Sequence, residues 1–408
     1  MTNATTPAPP AADPQAWLTP GVRGIGTASF LADVGHEIPT ALLPSLLTST
    51  LGAPAAALGA IEGLSDALAG AARFGGGVLA DDPARRRKVA VGGYATTAVL
   101  GAATAGATAV WQVGVLRAAA WTARGLRVPA RNALLADIVP AAAYGRAYGF
   151  ERMMDNLGAI FGPLLALGLV AWLGVQWAIG LSVIPGLLAA AAIVYAIRRT
   201  PSPTGRDKVP LRIRVRPLLK GELGRLLGAC AAFEVGNVAA TLLILRATEL
   251  LSPEHGSKTA TTIALGLYAA YNAAATLASV PAGHLADRLG KRGPVRVLAG
   301  GVAAFAAAYG LFAIDTAAIG VLALPFVLAG MGIGAVETAQ HSAVAALAPS
   351  DLRGSAFGAL ATVQSLGNLA ASTVAGVLWS TVSPSAAFGY LAAWMALALA
   401  GLLAGARR

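Results

Sequence analysis

Twelve stretches of this chain are long and apolar enough to cross a bilayer, near 24–50, 55–80, 89–110, 113–135, 146–173, 176–197, 222–250, 260–286, 294–314, 317–347, 354–381 and 385–406. A spanning helix needs about 20 mainly apolar residues, and the connections between these runs are too short to hold another domain. Composition agrees: 56% of residues are hydrophobic and 12% charged, against roughly 25% charged in soluble domains. The expected fold is all-α and integral to a membrane, with 12 transmembrane helices.

The chain repeats itself at half its length. Gly77-Val-Leu-Ala-Asp81 precedes a basic cluster at Arg85–Lys88, and Gly283-His-Leu-Ala-Asp287 precedes Arg288, Lys291 and Arg292, an offset of 206 residues. Ala147-Tyr-Gly149 and Gly158 match Ala356-Phe-Gly358 and Gly367 at 209, as does Gly125–Pro140 with Gly334–Pro349. Asp33-Val-Gly matches Glu234-Val-Gly at 201. The order of features is the same in both copies, which predicts a parallel repeat of two six-helix halves. The expected division is a disordered tail at 1–22, a first half at 23–197, a linker at 198–221 and a second half at 222–408.

The net charge of +11 invites a nucleic-acid reading, but its distribution excludes one. Lys and Arg concentrate at Arg85–Lys88, Arg198–Lys220, Arg288–Arg296 and Arg407–Arg408, with Lys258 the main exception on the other side. This bias places both termini and the central linker in the cytoplasm, and the protein in the cytoplasmic membrane. The Pro- and Arg-rich linker suits contact with anionic lipid head groups. The first 20 residues lack a basic n-region before an apolar core and are not a signal peptide. Cys230 is the single cysteine, so no internal disulfide forms.

Ionisable residues inside the apolar runs are costly and face a bundle interior or a wet cavity. The first run carries Asp33, His36 and Glu37 on one helical face, and the second carries Glu62 and Asp66. The fourth carries Arg117, Arg124, Arg127 and Arg131, of which Arg131 is near enough to the cytoplasm to snorkel. The fifth supplies Glu151, Arg152 and Asp155, making Arg127–Asp155 or Arg124–Glu151 the expected pairs. It also carries Gly149, Gly158, Gly162 and Pro163, a small-residue stripe and kink suited to close packing on a neighbour. Glu234 sits mid-depth in the seventh run as the counterpart of Asp33, with Arg246 near its outer end. Tyr268, Tyr271 and Asn272, then Glu337 and His341, then Gln364 and Asn368, extend the polar lining.

These features resemble the major facilitator superfamily over essentially the whole chain. Gly283–Arg292 is similar to that family's signature between helices eight and nine, and Gly77–Lys88 to the one between helices two and three. The first copy has Ala84 where a glycine is usual. The glycines of the fifth run resemble the motif of drug/proton antiporter members, with Ala166 replacing one glycine. Arg117 resembles the family's helix-four arginine, although Trp121 stands where a glycine is expected. The resemblance implies a cytoplasmic gate built from Gly77, Asp81, Arg85, Gly283, Asp287 and Arg288. Asp81 is expected at the start of the eleventh helix near Arg353–Ser355, and Asp287 at the start of the fifth around Tyr144–Ala147, each held by free amides and the helix dipole.

The leading expectation is a secondary transporter of a small molecule, coupled to protons and exporting by antiport. A desolvated carboxylate can accept and release a proton through a transport cycle. Asp33, Glu37 and Glu234 are the first candidates, then Glu151 and Asp155; His36, Arg124, Arg127, Tyr268, Asn272, Glu337 and Gln364 are candidates for the substrate cavity. No cofactor or bound metal is expected, the proton gradient being the energy source, and a monomer suffices. The alternatives are a proton symporter of an organic solute, a divalent-metal carrier using Asp33, His36 and Glu37, and a non-transporting receptor. No nucleophile–base constellation or phosphate loop points to an enzyme.

Overall fold

The computed structural model describes residues 17–200 and 213–407. Most of the expected tail, the middle of the linker and Arg408 lie outside the described residues. Among the described residues there is no strand. The helices are α1 (Pro20–Ser45), α2 (Ala55–Leu79), α3 (Pro83–Ala103), α4 (Val110–Ile138), α5 (Tyr144–Leu173), α6 (Val175–Leu181), α7 (Val183–Arg198), α8 (Val215–Leu218), α9 (Gly221–Glu234), α10 (Ala240–His255), α11 (Ser257–Arg288), α12 (Gly293–Phe312), α13 (Ile319–Leu347), α14 (Arg353–Thr381) and α15 (Pro384–Arg407).

Among the described residues, seven helical segments are long and apolar enough to cross a membrane: those at 83–106, 141–173, 175–198, 257–288, 290–312, 319–347 and 384–404. The other long helices, α1, α2, α4 and α14, carry many of the ionisable and amide side chains. The halves share one plan: α1 packs on α5 and α7 as α9 packs on α14 and α15. Between the halves, α5 lies against α11 and α2 against α14.

The expected seventh run, 222–250, is not one helix. It breaks after Glu234 and resumes at Ala240. The break survives burial because other helices satisfy the freed backbone groups. Tyr309 Oη accepts from Val238 N at 3.3 Å, Ser372 Oγ accepts from Ala239 N at 2.9 Å, and Asn368 Nδ2 donates to Asn237 O at 2.8 Å. The expected run 176–197 is also interrupted, at Ser182 between α6 and α7.

Opposite the basic loops, Arg246 donates to Asp315 Oδ1 at 2.5 Å and to Phe312 O at 3.0 Å, and Ser385 Oγ donates to the same Asp315 oxygen at 2.9 Å. The Arg246 hydrogen bond, followed by that from Ser385, holds the exposed Asp315 carboxyl below its ordinary value. This tie is therefore complete at neutral pH and is lost as pH falls through that lowered value.

Two glycines set matched close contacts in the two halves. A Cβ on Gly158 of α5 would lie 2.6 Å from Phe30 O and 2.7 Å from Asp33 Cβ on α1; one on Gly367 of α14 would run into the side chain of Glu234 and lie 2.9 Å from its backbone carbon. The repeat that pairs Gly158 with Gly367 and Asp33 with Glu234 thus recurs as the same contact in space. Gly158→Ala and Gly367→Ala should each cost roughly 1–3 kcal/mol. Gly59→Ala and Gly63→Ala on α2, where a Cβ meets nothing within 4 Å, should be neutral or stabilising by up to about 1 kcal/mol. Thermal unfolding of the purified variants checks this; equal losses at all four positions would contradict it.

Candidate functional site

At the basic end of the bundle each aspartate of the repeated motif crosses to the other half. Asp81, in the turn after α2, accepts from Ser355 N at 2.8 Å and Ser355 Oγ at 2.5 Å, at the first turn of α14. Asp287, near the end of α11, accepts from Gly145 N at 2.7 Å and Arg146 N at 3.0 Å at the first turn of α5, with Arg146 Nε adding a bond at 2.9 Å. These amides are orphan donors of a helix start, and a carboxylate there is stabilised by roughly 0.3–2 kcal/mol. Gly77 and Gly283 make the approach possible, because a Cβ at either would strike the backbone of Gly354 or Gly145.

Around this clasp, Arg85 pairs with Asp82 at 3.4 Å, and Arg288 is exposed at the end of α11. A residue the sequence did not single out completes it. Asp137 at the end of α4 pairs with the buried Arg86 of its own half and, at 2.9 Å, with Arg353 of the other. Asp137 is one carboxylate at a helix end, with nothing local to mark it as an inter-half contact.

Deeper in, Arg117, Arg124 and Arg131 recur every seven residues on one face of α4, and each meets a carboxylate. Arg117 pairs with Glu62 at 2.9 Å, Arg124 with Asp33 at 3.1 Å, and Arg131 with Glu151 at 2.8 Å and Asp155 at 3.3 Å. The expected Arg127–Asp155 and Arg124–Glu151 pairs do not form. The antiparallel register of α4 and α5 is fixed by Tyr148 Oη donating to Asn132 O and Tyr144 Oη to Ala136 O, which sets Glu151 beside Arg131. Arg131 does not snorkel; it is 4% exposed. Arg127 points off this face, over the ring of Tyr94.

Arg152 links this network to the second half. It pairs with Glu151 at 2.7 Å and Asp155 at 3.2 Å, and approaches Glu337 of α13 at 3.7 Å. Three carboxylates here share two guanidiniums, Arg131 and Arg152. Beside Glu337, the His341 ring packs against Tyr148 of α5 and Phe357 of α14, at centroid distances of 5.9 and 6.0 Å.

In the first half, Arg124 also contacts His36 Nε2 at 3.0 Å. A guanidinium only donates, so that ring nitrogen accepts. Trp121 lies between Arg117 and Arg124, 4.8 and 4.9 Å from its ring, with His36 at its edge at 4.5 Å. Glu37 is partly exposed, 3.8 Å from His36. Among the described residues no three His, Cys, Asp or Glu side chains converge in a metal-binding arrangement.

The second half answers with amides. Glu234 is 3% exposed; it accepts from Asn237 Nδ2 at 3.0 Å and Gln340 Nε2 at 3.1 Å, and Gln340 accepts from Gln364 at 2.8 Å. Among the described residues no cation lies within salt-bridge distance of Glu234. In the repeat, Gln340 stands where the first half has Arg131, a substitution visible only once the halves are superposed. Tyr268 stacks on Tyr271 at 5.6 Å, and Asn272 donates to Tyr268 O within its own helix.

The sequence matches the family model of the Major Facilitator Superfamily over residues 25–367 and again over 226–408. The chain belongs to the major facilitator superfamily. It is 28% identical over 378 residues to an uncharacterized MFS-type transporter of Methanocaldococcus jannaschii, covering 91% of this chain and 92% of that one. A shorter match, 31% over 68 residues, joins it to a multi-drug resistance efflux pump homologue of Lactococcus lactis, covering 17% of this chain and 57% of that protein. Among solved structures, a bacterial homologue of the iron transporter ferroportin in an outward-facing state superposes with a TM-score of 0.74 at 14% identity, covering 95% of this chain and all of that one; that likeness is one of fold. The protein is a multi-pass membrane transporter of this superfamily and not an enzyme.

Burial separates the ion pairs of this transporter by stability. Arg131→Leu breaks a pair whose side chains are 5% and 1% exposed and should cost about 3–5 kcal/mol. Glu62→Gln touches a carboxylate whose side chain is 31% exposed and should cost about 1 kcal/mol or less. Denaturation of the two variants in one detergent measures the difference, and comparable losses would contradict the assignment.

Proposed function

We propose that this protein is a proton-coupled secondary transporter that exports a small molecule across the cytoplasmic membrane by antiport. In this reading twelve spanning segments form two rocking halves, α6 with α7 and α9 with α10 each counting as one, and both termini are cytoplasmic. The monomer is the working unit, and the proton gradient is its energy source.

The observation that carries the reading is Glu234. It is a carboxylate buried beside a helix break, held by two amides and facing no cation. An unpaired charge there is costly, and proton binding removes that cost. Broken helices near the midplane are a recurring way for transporters to build ion sites. Asp33 is its repeat counterpart, but its charge is offset by Arg124. A proton on Asp33 releases Arg124, which then faces the cavity. Glu151, Asp155 and Glu337 form the relay candidate between the halves, with one carboxylate more than the guanidiniums can match.

In this reading the clasp made by Asp81 and Asp287 holds the basic end shut in an outward-facing conformation. Export is supported by the Gly149–Gly158–Gly162–Pro163 stripe and by the short match to an efflux pump homologue. A metal-carrier role is disfavoured because Arg124 occupies both Asp33 and the Nε2 lone pair of His36.

Proteoliposomes holding a pH dye test the proposal. With a panel of lipophilic organic compounds and an imposed proton gradient, wild type should move protons in the direction opposite to substrate. Glu234→Gln should lose at least tenfold of that coupled flux, and Asp33→Asn should lose it too. Substrate flux with no proton signal, or an unaltered proton signal in both variants, would overturn the coupling assignment.

A further inference from the structure

The outer face of the first half carries a groove that neither the ion-pair network nor the clasp uses. It lies between α3 and α7, is lined by Val91, Ala190, Ala191, Val194, Tyr195 and Arg198, and has a volume of about 440 Å³. Its origin is in the sequence of α7, where Leu187-Leu188 is followed one turn along the same face by Ala190-Ala191. Leu187 and Leu188 are 45% and 52% exposed, and the segment they belong to is apolar enough to span a membrane, so this face meets lipid. The two alanines withdraw side-chain volume from it and leave a trough.

The polar groups of the trough sit at one end of it. Helix α3 leaves the basic end of the bundle and α7 returns to it, and the two touch where a Cβ on Gly186 would lie 2.5 Å from Ala98 Cβ. In this antiparallel pairing Arg198, twelve residues beyond Gly186, comes level with Arg86, twelve before Ala98, and with its neighbours Arg87 and Lys88. Lys88 precedes Val91 by three residues, which puts it one turn from the trough on the same side of α3. Lys88 and Arg198 are exposed, and among the described residues neither has a carboxylate within salt-bridge distance. The Arg199 guanidinium lies over the Tyr195 ring at 5.4 Å, which sets an amphipathic ring at the mouth, as at other membrane–water boundaries. The volume is that of a small-molecule site, roughly 300–1,000 Å³, and too small for a partner helix. An apolar trough with two cations at its basic end fits a long apolar chain that ends in an anion.

We propose that this groove holds one anionic phospholipid of the leaflet at the basic end, its phosphate between Lys88 and Arg198 and one acyl chain along Val91, Ala190, Ala191 and Val194. The lipid bridges α3 and α7 from outside the bundle. The site uses neither Glu234 nor the clasp, and it requires only that the chain be embedded in a bilayer.

Native mass spectrometry of the purified full chain, titrated with phosphatidylglycerol or with phosphatidylcholine of the same acyl chains, tests it. Wild type should bind its first phosphatidylglycerol roughly tenfold more tightly than its first phosphatidylcholine. Lys88→Gln with Arg198→Gln should remove that preference. Lys220→Gln with Arg225→Gln, an equal loss of charge from exposed residues of the second half, should keep it. Ala191→Trp fills the trough and should weaken the first phosphatidylglycerol by roughly tenfold with both cations in place; if that variant does not fold, the charge variants decide. Glu234→Gln should bind both lipids as wild type does, whatever its effect on proton coupling, which separates this site from the coupling assignment. Equal binding of the two lipids by wild type, a first phosphatidylglycerol that either groove variant leaves unweakened, or a preference lost equally in the second-half control would overturn the site. So would a dimer of the chain that Ala191→Trp splits.

Discussion

A carboxylate taken out of water needs donors, and at the basic end of this bundle the donors are the first amides of a helix in the opposite half. Asp81 takes those of α14 and Asp287 those of α5. Neither bond is possible unless the helices touch backbone to backbone, which is why glycines face each other at Gly77 and Gly354, and at Gly145 and Gly283. The clasp and the close contact therefore stand or fall together. Where the two halves meet at depth is set by these two crossings, with the Asp137–Arg353 and Arg152–Glu337 contacts behind them.

The halves repeat a scaffold but not a chemistry. Asp33 and Glu234 occupy equivalent places against Gly158 and Gly367, yet one meets a guanidinium and the other amides. The first half holds its buried carboxylates with charge, through Arg117, Arg124 and Arg131 on one face of α4. The second uses Gln340, Gln364 and Asn237, which hold geometry without fixing charge. Changing protonation at Asp33 rearranges an ion pair, whereas changing it at Glu234 alters the net charge of the second half's wall.

The helical, membrane-embedded character was legible because runs of about 20 apolar residues leave a chain few choices, and the halves because the motif recurs in order. The clasp partners were legible through the family resemblance, which implied that each aspartate sits at the start of a helix in the other half. The pairing inside the bundle was not. Periodicity places Arg124, Arg127 and Arg131 on faces, but the register between α4 and α5 depends on two tyrosine hydroxyls that no local pattern announces. Nor did the run containing Glu234 reveal its break, because the groups that satisfy it come from Tyr309, Asn368 and Ser372, at least 70 residues away in sequence. Local propensity sets elements; distant side chains decide where they may open.

The central claim is that two helix-capping aspartates hold the basic end shut. The most direct measurement is the distance distribution across that end, from spin labels on Ala84→Cys and Ser350→Cys in a Cys230→Ser background. The labels report from exposed positions in opposite halves. With Asp81 and Asp287 intact, one short-distance population should dominate in the absence of substrate. With Asp81→Asn and Asp287→Asn together, a longer-distance population should grow at its expense. Identical distributions in the two proteins would contradict the account.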